Sequence, residues 1–171
     1  LNFLYYDLAK EGKINLEKTV TSVKEDFENA YGPLAELGPG EKFNMQKLLH
    51  TSIGQMDTVS RNVLMRTMEE KTGQAFNQEV FKKYGIRINK DNKLAVDQGL
   101  KMVKYLEDNK NTNKLYKIII SDMLDKDQDS YASKYIQDRR ICHKPGNMGA
   151  SYSDLGIVYG DKPYIFVILT N

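Results

Sequence analysis

The fold of this chain is decided by residues 139–171, which read RRICHKPGNMGASYSDLGIVYGDKPYIFVILTN. Stretches of β-prone residues alternate here with turn signals, in the order Arg139–His143, Asn147–Gly149, Leu155–Tyr159, Gly160–Lys162 and Pro163–Thr170. Strands that follow one another through short turns pair as an antiparallel meander. The sequence therefore predicts three antiparallel strands at this end of the chain.

Residues 1–138 have the apolar spacing of helices rather than of strands. Asn44 is placed to cap one of these helices, and Gly73 and Gly85 are placed to end two others. A helix is possible over 17–31, and the run Ile118–Ile120 fits a helix or a strand. The predicted helices are 1–10, one from about 44, one from about 58 to 73, 76–84, 94–107 and 115–124. We thus expect a mostly helical lobe over 1–138 and three strands over 139–171.

Two features suggest that the domain is missing a piece. Leu1, Leu4, Tyr5 and Leu8 fall on one helical face, yet no capping residue precedes them, so the chain is expected to begin inside a helix. Both faces of the strand Pro163–Thr170 are apolar, so both should be covered. The helices of this chain can cover one face, and the second cover is expected in sequence outside the chain.

Composition bounds the kind of partner. The chain has 171 residues, with 25 basic and 23 acidic side chains and a net charge of +2. Nothing in this balance requires a nucleic acid or an anionic membrane, so neither is expected as a partner. No apolar run approaches the length that spans a membrane.

The chain holds few residues that bind metals or act as nucleophiles. A single cysteine, Cys142, excludes an internal disulfide and is expected in the core. It is not expected to be a nucleophile, because the adjacent His143 points to the opposite face of a strand and cannot pair with it. Asp125, Asp127 and Asp129 alternate, but they lack the later glycine and glutamate of a calcium loop and predict a solvated turn. No metal and no cofactor is expected.

The strands resemble a known family. The segments Cys142–Gly146, Ser153–Tyr159 and Pro163–Thr170 are similar to the last strands of class A β-lactamases and penicillin-binding proteins. In that family a Lys-Thr-Gly strand edges the active site, followed by an Asp-x-Gly-Ile-Val-Tyr strand and an apolar strand. The N-terminal helix also resembles the one that follows the family's Ser-x-x-Lys. The resemblance implies an α+β fold, with a helical lobe and an antiparallel sheet flanked by helices, lacking here its N-terminal strands and helix.

The family's chemistry gives each motif a role. A serine attacks the β-lactam or peptide carbonyl, activated by a lysine one helical turn later. A Ser-Asp-Asn loop relays a proton and holds the substrate with an amide. The Lys-Thr-Gly strand offers a cation and a backbone edge, and in class A enzymes a loop glutamate activates water.

The carry-over to this chain is incomplete. The nucleophile is expected before Leu1, so no catalytic residue is identified. The Ser-Asp-Asn loop becomes Met56-Asp57-Thr58, in which the methionine cannot relay a proton and the threonine has no amide; Ser60 is a weak stand-in. Lys-Thr-Gly becomes Lys144-Pro145-Gly146, which keeps the cation and the glycine but loses a hydroxyl and one N–H. The loop Gly85–Lys93 contains no glutamate, so the deacylating base is absent.

The resemblance therefore implies a substrate-binding set without a catalytic one. The candidate substrate-binding residues are Lys144, Gly146, Asn147, Asp57 and Thr58. Asp57 has a structural alternative as the cap of the helix from Thr58, and Lys144 could be a solvated strand lysine.

Three hypotheses follow for the function. The first is a non-catalytic or impaired member that binds small molecules or peptidoglycan-like peptides. The second is an active serine hydrolase, of the β-lactamase or D-Ala-D-Ala peptidase type, whose Ser-x-x-Lys lies upstream. The third is a helical scaffold without a groove function. The resemblance also implies a place outside the cytoplasmic membrane and contact with the missing N-terminal segment.

Overall fold

The computed structural model describes residues 1–89, 93–124 and 131–170. The chain folds as two compact units, Leu1–Gly85 and Ile86–Asn171. The helices are α1 (Asn2–Lys10), α2 (Met45–Gly54), α3 (Thr58–Thr72), α4 (Phe76–Tyr84), α5 (Val96–Asn109), α6 (Tyr116–Met123) and α7 (Tyr131–Tyr135). The strands are β1 (Thr19–Thr21), β2 (Lys42–Asn44), β3 (Arg140–Met148), β4 (Ser151–Tyr159) and β5 (Tyr164–Thr170).

The helices of the first unit begin and end where local signals predict. The Asn44 side chain accepts hydrogen bonds from the first N–H groups of α2, at 2.9 Å from Gln46 N. Gly73 and Gly85 end α3 and α4 in the left-handed region, with φ of 69° and 64°. Glycine adopts this conformation without the steric cost of a side chain. These predictions are confirmed.

The prediction of a possible helix over 17–31 is wrong. In its place β1 pairs antiparallel with β2, and Val20 lies opposite the buried Phe43. A 3₁₀ turn over Lys24–Phe27 follows, and Arg66 of α3 holds it through Nε and Nη2, at 3.0 and 2.8 Å from the Asp26 carboxylate. Both features depend on partners twenty or more residues away, which local patterns do not reveal.

The second unit carries the main sheet, with antiparallel order β3-β4-β5. The meander is confirmed, but the predicted turn over Asn147–Gly149 is misplaced. Strand β3 continues to Met148, and the turn lies at Gly149 and Ala150, with Gly149 at φ 64°. Pro145 and Gly146 disfavour regular strands in general, which made β3 look shorter than it is.

Helices α5 and α6 pack on one face of this sheet. Cys142, Ile157 and Ile165 lie opposite one another across the three strands on that face. The Cys142 thiol points to α6, 3.7 Å from the carbonyl oxygen of Ile120. The ambiguous run Ile118–Ile120 is therefore helical, because its buried positions meet the sheet.

The opposite face of β5 is less covered. Tyr164 and Ile168 are 49% and 50% exposed. The expectation that a segment outside this chain covers this face stays a prediction.

The α+β class with an antiparallel sheet and flanking helices is confirmed. The predicted boundary at residue 138 falls between α7 and β3, although β1 and β2 precede it. The compact units divide instead after Gly85, and α5 and α6 pack on the sheet of the second unit. Among the described residues, no helix is long and apolar enough to cross a membrane. Asp125, Asp127 and Asp129 lie outside the described residues, as does 90–92 of the loop expected to lack a glutamate.

Candidate ligand-binding site

Three of the candidate binding residues share strand β3. Lys144, Gly146 and Asn147 lie opposite Leu155, Ser153 and Tyr152 of β4. Within the described chain β3 pairs with β4 alone, so its other side is an open edge. An open edge presents unpaired backbone N–H and C=O groups, which can pair with an extended peptide.

Pro145 shows which backbone groups face this edge. It sits opposite Asp154 inside an unbroken ladder. Since proline has no N–H to donate, it fits where that group would point away from the partner strand. Antiparallel pairs alternate, so the groups of His143 and Asn147 face the open edge as well. The edge thus keeps the Asn147 N–H beside a position where Pro145 has removed a donor.

Lys144 provides the cation of this strand. Its side chain is half-buried and lies on the same face as Cys142, toward the side that α6 covers. A lysine ammonium is a compact positive charge with three donors, suited to a ligand carboxylate. Lys144 therefore offers the one charged group of the Lys144-Pro145-Gly146 segment.

Gly146 keeps the strand narrow next to that cation. A Cβ placed on Gly146 would lie 2.5 Å from Oγ of Ser153, closer than a real contact allows. The Ser153 hydroxyl is itself 3.5 Å from the Gly146 carbonyl oxygen. A side chain at this position would displace Ser153 and occupy space beside the strand that a ligand would need.

The other two candidate residues, Asp57 and Thr58, lie in the first unit at the start of α3. Asp57 is 1% exposed, and its Oδ1 accepts from Ser60 N at 2.6 Å. Its Oδ2 accepts from Leu34 N at 2.7 Å. Both carboxylate oxygens are thus used by backbone donors, and the predicted helix cap is confirmed. Asp57 also anchors the preceding loop.

Thr58 is likewise occupied by that loop. Its hydroxyl accepts from Tyr31 N at 2.8 Å and lies 3.2 Å from the carbonyl oxygen of Asn29. Its own N–H donates to the Tyr31 carbonyl at 2.9 Å. Thr58 therefore orders residues 29–31, and Tyr31 carries a ring side chain that is 64% exposed.

Neither Met56 nor Ser60 replaces the serine hydroxyl of the family's Ser-Asp-Asn loop. Met56 has a positive φ of 54° and a thioether in place of a serine. Ser60 is fully buried, with its Oγ 2.6 Å from the hydroxyl of Thr51. A buried hydroxyl held by another hydroxyl is not available to a ligand, so Ser60 offers no exposed substitute.

The sheet also holds a buried histidine–carboxylate pair that the sequence does not predict. His143 Nδ1 lies 3.0 Å from Oδ1 of Asp154, and Oδ2 of Asp154 accepts from Ala132 N of α7 at 3.3 Å. His143 pairs in register with Gly156, and Asp154 is two residues from Gly156 on the same face. The register of β3 against β4 would predict this pair, but that register follows only once the turn is placed at Gly149.

The single cysteine is not a nucleophile. Cys142 is fully buried, and burial raises the pKa of its thiol to about 12. A thiolate is the reactive form, so the thiol stays inert at neutral pH. The predicted core role is confirmed. Among the described residues no group of His, Cys, Asp and Glu is arranged to hold a metal ion.

Comparisons with known proteins decide the family. A profile of the beta-lactamase enzyme family matches residues 1–171, the full length of the chain. The chain therefore belongs to the beta-lactamase enzyme family. A comparison with curated proteins finds no match.

Solved structures of PBP-A and of two β-lactamases share this fold. PBP-A, solved as a variant in an acyl-enzyme complex with penicillin G, superimposes with a TM-score of 0.83 at 15% identity. The β-lactamases of Francisella tularensis and Sphaerobacter thermophilus give TM-scores of 0.78 and 0.77, at 19% and 14% identity. These superpositions cover 98% of this chain and 68%, 71% and 69% of the three relatives, in the order named. At such identities the likeness establishes the fold, and the chemistry must be argued from this chain's own residues.

Proposed function

We propose that this member of the beta-lactamase family binds a carboxylate-bearing small molecule or peptidoglycan-like peptide along β3 and turns it over poorly or not at all. The observation that carries this proposal is the segment Lys144-Pro145-Gly146 on an open edge strand. The segment keeps the cation and the narrow edge while it loses a hydroxyl and an N–H.

Binding is supported by the geometry of the edge. An extended peptide can add to β3 through backbone groups of His143 and Asn147. The Lys144 ammonium can pair with the ligand's carboxylate, and a charge-assisted hydrogen bond is about twice as strong as a neutral one. Gly146 leaves the approach free of a side chain. Asn147, which is exposed, adds an amide at the end of the strand.

Impaired turnover is supported by what the other segments hold. Asp57 and Thr58 use their oxygens to hold the loop before α3. Met56 has no proton to relay. The loop Gly85–Lys93 has no glutamate, and no Ser-x-x-Lys occurs within the 171 residues. These losses remove groups that the family resemblance assigns to proton transfer and deacylation.

The alternative is an active serine hydrolase of the β-lactamase or D-Ala-D-Ala peptidase type. One observation favours it: the similar PBP-A variant is named as an acyl-enzyme complex with penicillin G. This alternative requires a Ser-x-x-Lys upstream of Leu1 and other groups in the roles that Met56 and Thr58 do not fill. Under either proposal the protein would act outside the cytoplasmic membrane, where cell-wall peptides and β-lactams are found.

Titration of the ¹⁵N-labelled protein with an N-acyl-D-Ala-D-Ala peptide tests the binding proposal. We expect saturable changes in the backbone amide chemical shifts of β3 residues. The affinity for the peptide should be about tenfold weaker in Lys144→Ala, because one charge-assisted contact is lost. Lys101→Ala, which removes an exposed lysine of α5 in the same unit, is the matched control. Saturation without any effect of Lys144→Ala, or no saturation at all, would leave the helical scaffold as the better description.

A further inference from the structure

A second concave feature of the sheet unit lies away from the candidate binding edge. It is a cavity of about 320 Å³ beside α6, at the end of the sheet where β3 begins and β4 finishes. Its wall includes the cations Lys110, Lys117 and Arg140. Arg140 is four residues from Lys144, or roughly 13 Å along an extended strand. The cavity is therefore a feature separate from the ligand edge.

The cations of this cavity are only partly neutralised. Lys110 forms an ion pair with Glu107. In the part of the chain that the structure describes, neither Arg140 nor Lys117 forms an ion pair with a carboxylate, and both are exposed. Among the described residues around the cavity, one carboxylate against three cations leaves two positive charges.

Tyr159 organises two of these cations. The guanidinium carbon of Arg140 lies 5.7 Å from the centre of the Tyr159 ring, and Nζ of Lys110 lies 5.3 Å from it. Such distances are within the range of cation–π attraction. The Tyr159 hydroxyl contacts Oε2 of Glu107 at 3.3 Å, which fixes the ring. Arg140 is thus positioned at the wall before any ligand arrives, which lowers the entropy cost of binding.

We propose that this cavity binds a phosphate monoester group. A phosphate monoester carries close to two negative charges at neutral pH, which matches the two uncompensated cations. The planar fork of Arg140 can hold two phosphate oxygens, and Lys117 can hold the third as a point charge. Ser121 and Asn111, which also line the cavity, provide neutral donors. A monocarboxylate would leave one positive charge without a partner.

Titration of the ¹⁵N-labelled protein with inorganic phosphate, at constant ionic strength, tests this proposal. Parallel titrations use glycerol 3-phosphate and a phosphodiester. Glycerol 3-phosphate represents a small phosphate monoester, and the phosphodiester represents the linkage of a phosphate-containing polymer. We expect saturable changes in the backbone amide chemical shifts of the cavity residues Lys117, Ser121, Arg140 and Tyr159, with the monoester or phosphate binding more tightly than the diester.

Substitutions make the outcome decisive. Arg140→Ala and Lys117→Ala should each weaken binding about tenfold, the loss of one charge-assisted contact. Arg140→Lys keeps the charge without the fork, so we expect an intermediate loss. Lys101→Ala and Lys144→Ala should stay within about twofold, because neither residue lines the cavity.

Shifts that rise linearly with phosphate, or that chloride reproduces at the same ionic strength, would overturn the proposal. So would an equal weakening in Lys101→Ala, which would indicate a diffuse charge effect. Because Lys144→Ala is expected to change peptide binding and leave phosphate binding intact, failure of one proposal is distinguishable from failure of the other.

Discussion

The imidazole of His143 and the carboxylate of Asp154 form a buried pair across β3 and β4, with Nδ1 3.0 Å from Oδ1 and side chains 4% and 3% exposed. His143 directly precedes Lys144 in β3. Asp154 also accepts from the Ala132 N–H at 3.3 Å. The pair therefore fastens the candidate binding strand to its neighbour and to α7.

Removing one member of this pair should destabilise the protein strongly. We expect His143→Ala to lower the free energy of unfolding by about 3 kcal/mol, because it takes the imidazole away from a carboxylate that is only 3% exposed. Asp154→Asn keeps the shape and should cost less, about 1–2 kcal/mol. Urea denaturation followed by circular dichroism measures both. A loss below about 0.5 kcal/mol for His143→Ala would show that the pair contributes nothing to the fold.

Gly156 permits the close approach of β3 and β4. A Cβ on Gly156 would lie 2.2 Å from the Cys142 carbonyl oxygen and 2.7 Å from Cα of His143, which are backbone atoms that cannot move aside cheaply. We expect Gly156→Ala to cost about 3 kcal/mol of stability, the upper part of the range for overpacking. Gly38→Ala is the control, because no atom lies within 4 Å of the added Cβ. Equal stability of the two variants would argue against this strand spacing.

Asp57 is expected to act as a structural residue. Asp57→Ala removes the acceptor of both the α3 cap and the Leu34 N–H. A cap contributes about 1 kcal/mol and a buried hydrogen bond to a charged group about 2 kcal/mol, so we expect a loss of about 3 kcal/mol. Asn44→Ala, which removes the exposed cap of α2, should cost about 1 kcal/mol by the same measurement. If Asp57→Ala weakened peptide binding without loss of stability, a direct ligand role would be the better interpretation.

The Cys142 thiol should be unreactive until the protein unfolds. Burial raises its pKa from an ordinary 9.0 to about 12. Between these values the folded state holds a proton that the unfolded state has lost, so this thiol's contribution to stability falls as pH rises from 9 to 12. We expect labelling by a disulfide reagent to be slow at pH 8 and complete in urea. In Cys142→Ala, the decline of stability above pH 9 should be shallower. Fast labelling of the folded protein would contradict the buried position.

The parts of the fold that the sequence predicted were those with local signals. Asn44, Gly73 and Gly85 mark helix ends through their own side chains or backbone conformation. The pairing of Val20 with Phe43 joins distant segments, and local periodicity carries no sign of it. For the same reason a helix remained possible where β1 lies.

The candidate site was predicted in part by residue identity. The strand position of Lys144 and Gly146 follows from the resemblance, whereas the sequence predicts Asn147 in a turn and the structure places it in β3. The length of β3 is not evident from the sequence, because proline and glycine are disfavoured inside regular strands. The contacts of Thr58 with Tyr31 and of His143 with Asp154 depend on tertiary register. Their partners could be found only after the loop and the turn were placed.

Intact-protein mass spectrometry of the full-length protein, after incubation with penicillin G, shows whether ligand binding occurs without efficient acylation. We expect the protein mass to stay unchanged, even at penicillin G concentrations that saturate the chemical-shift changes along β3. A stoichiometric covalent adduct, mapped to a serine of a Ser-x-x-Lys segment, would contradict it and establish the active serine hydrolase instead.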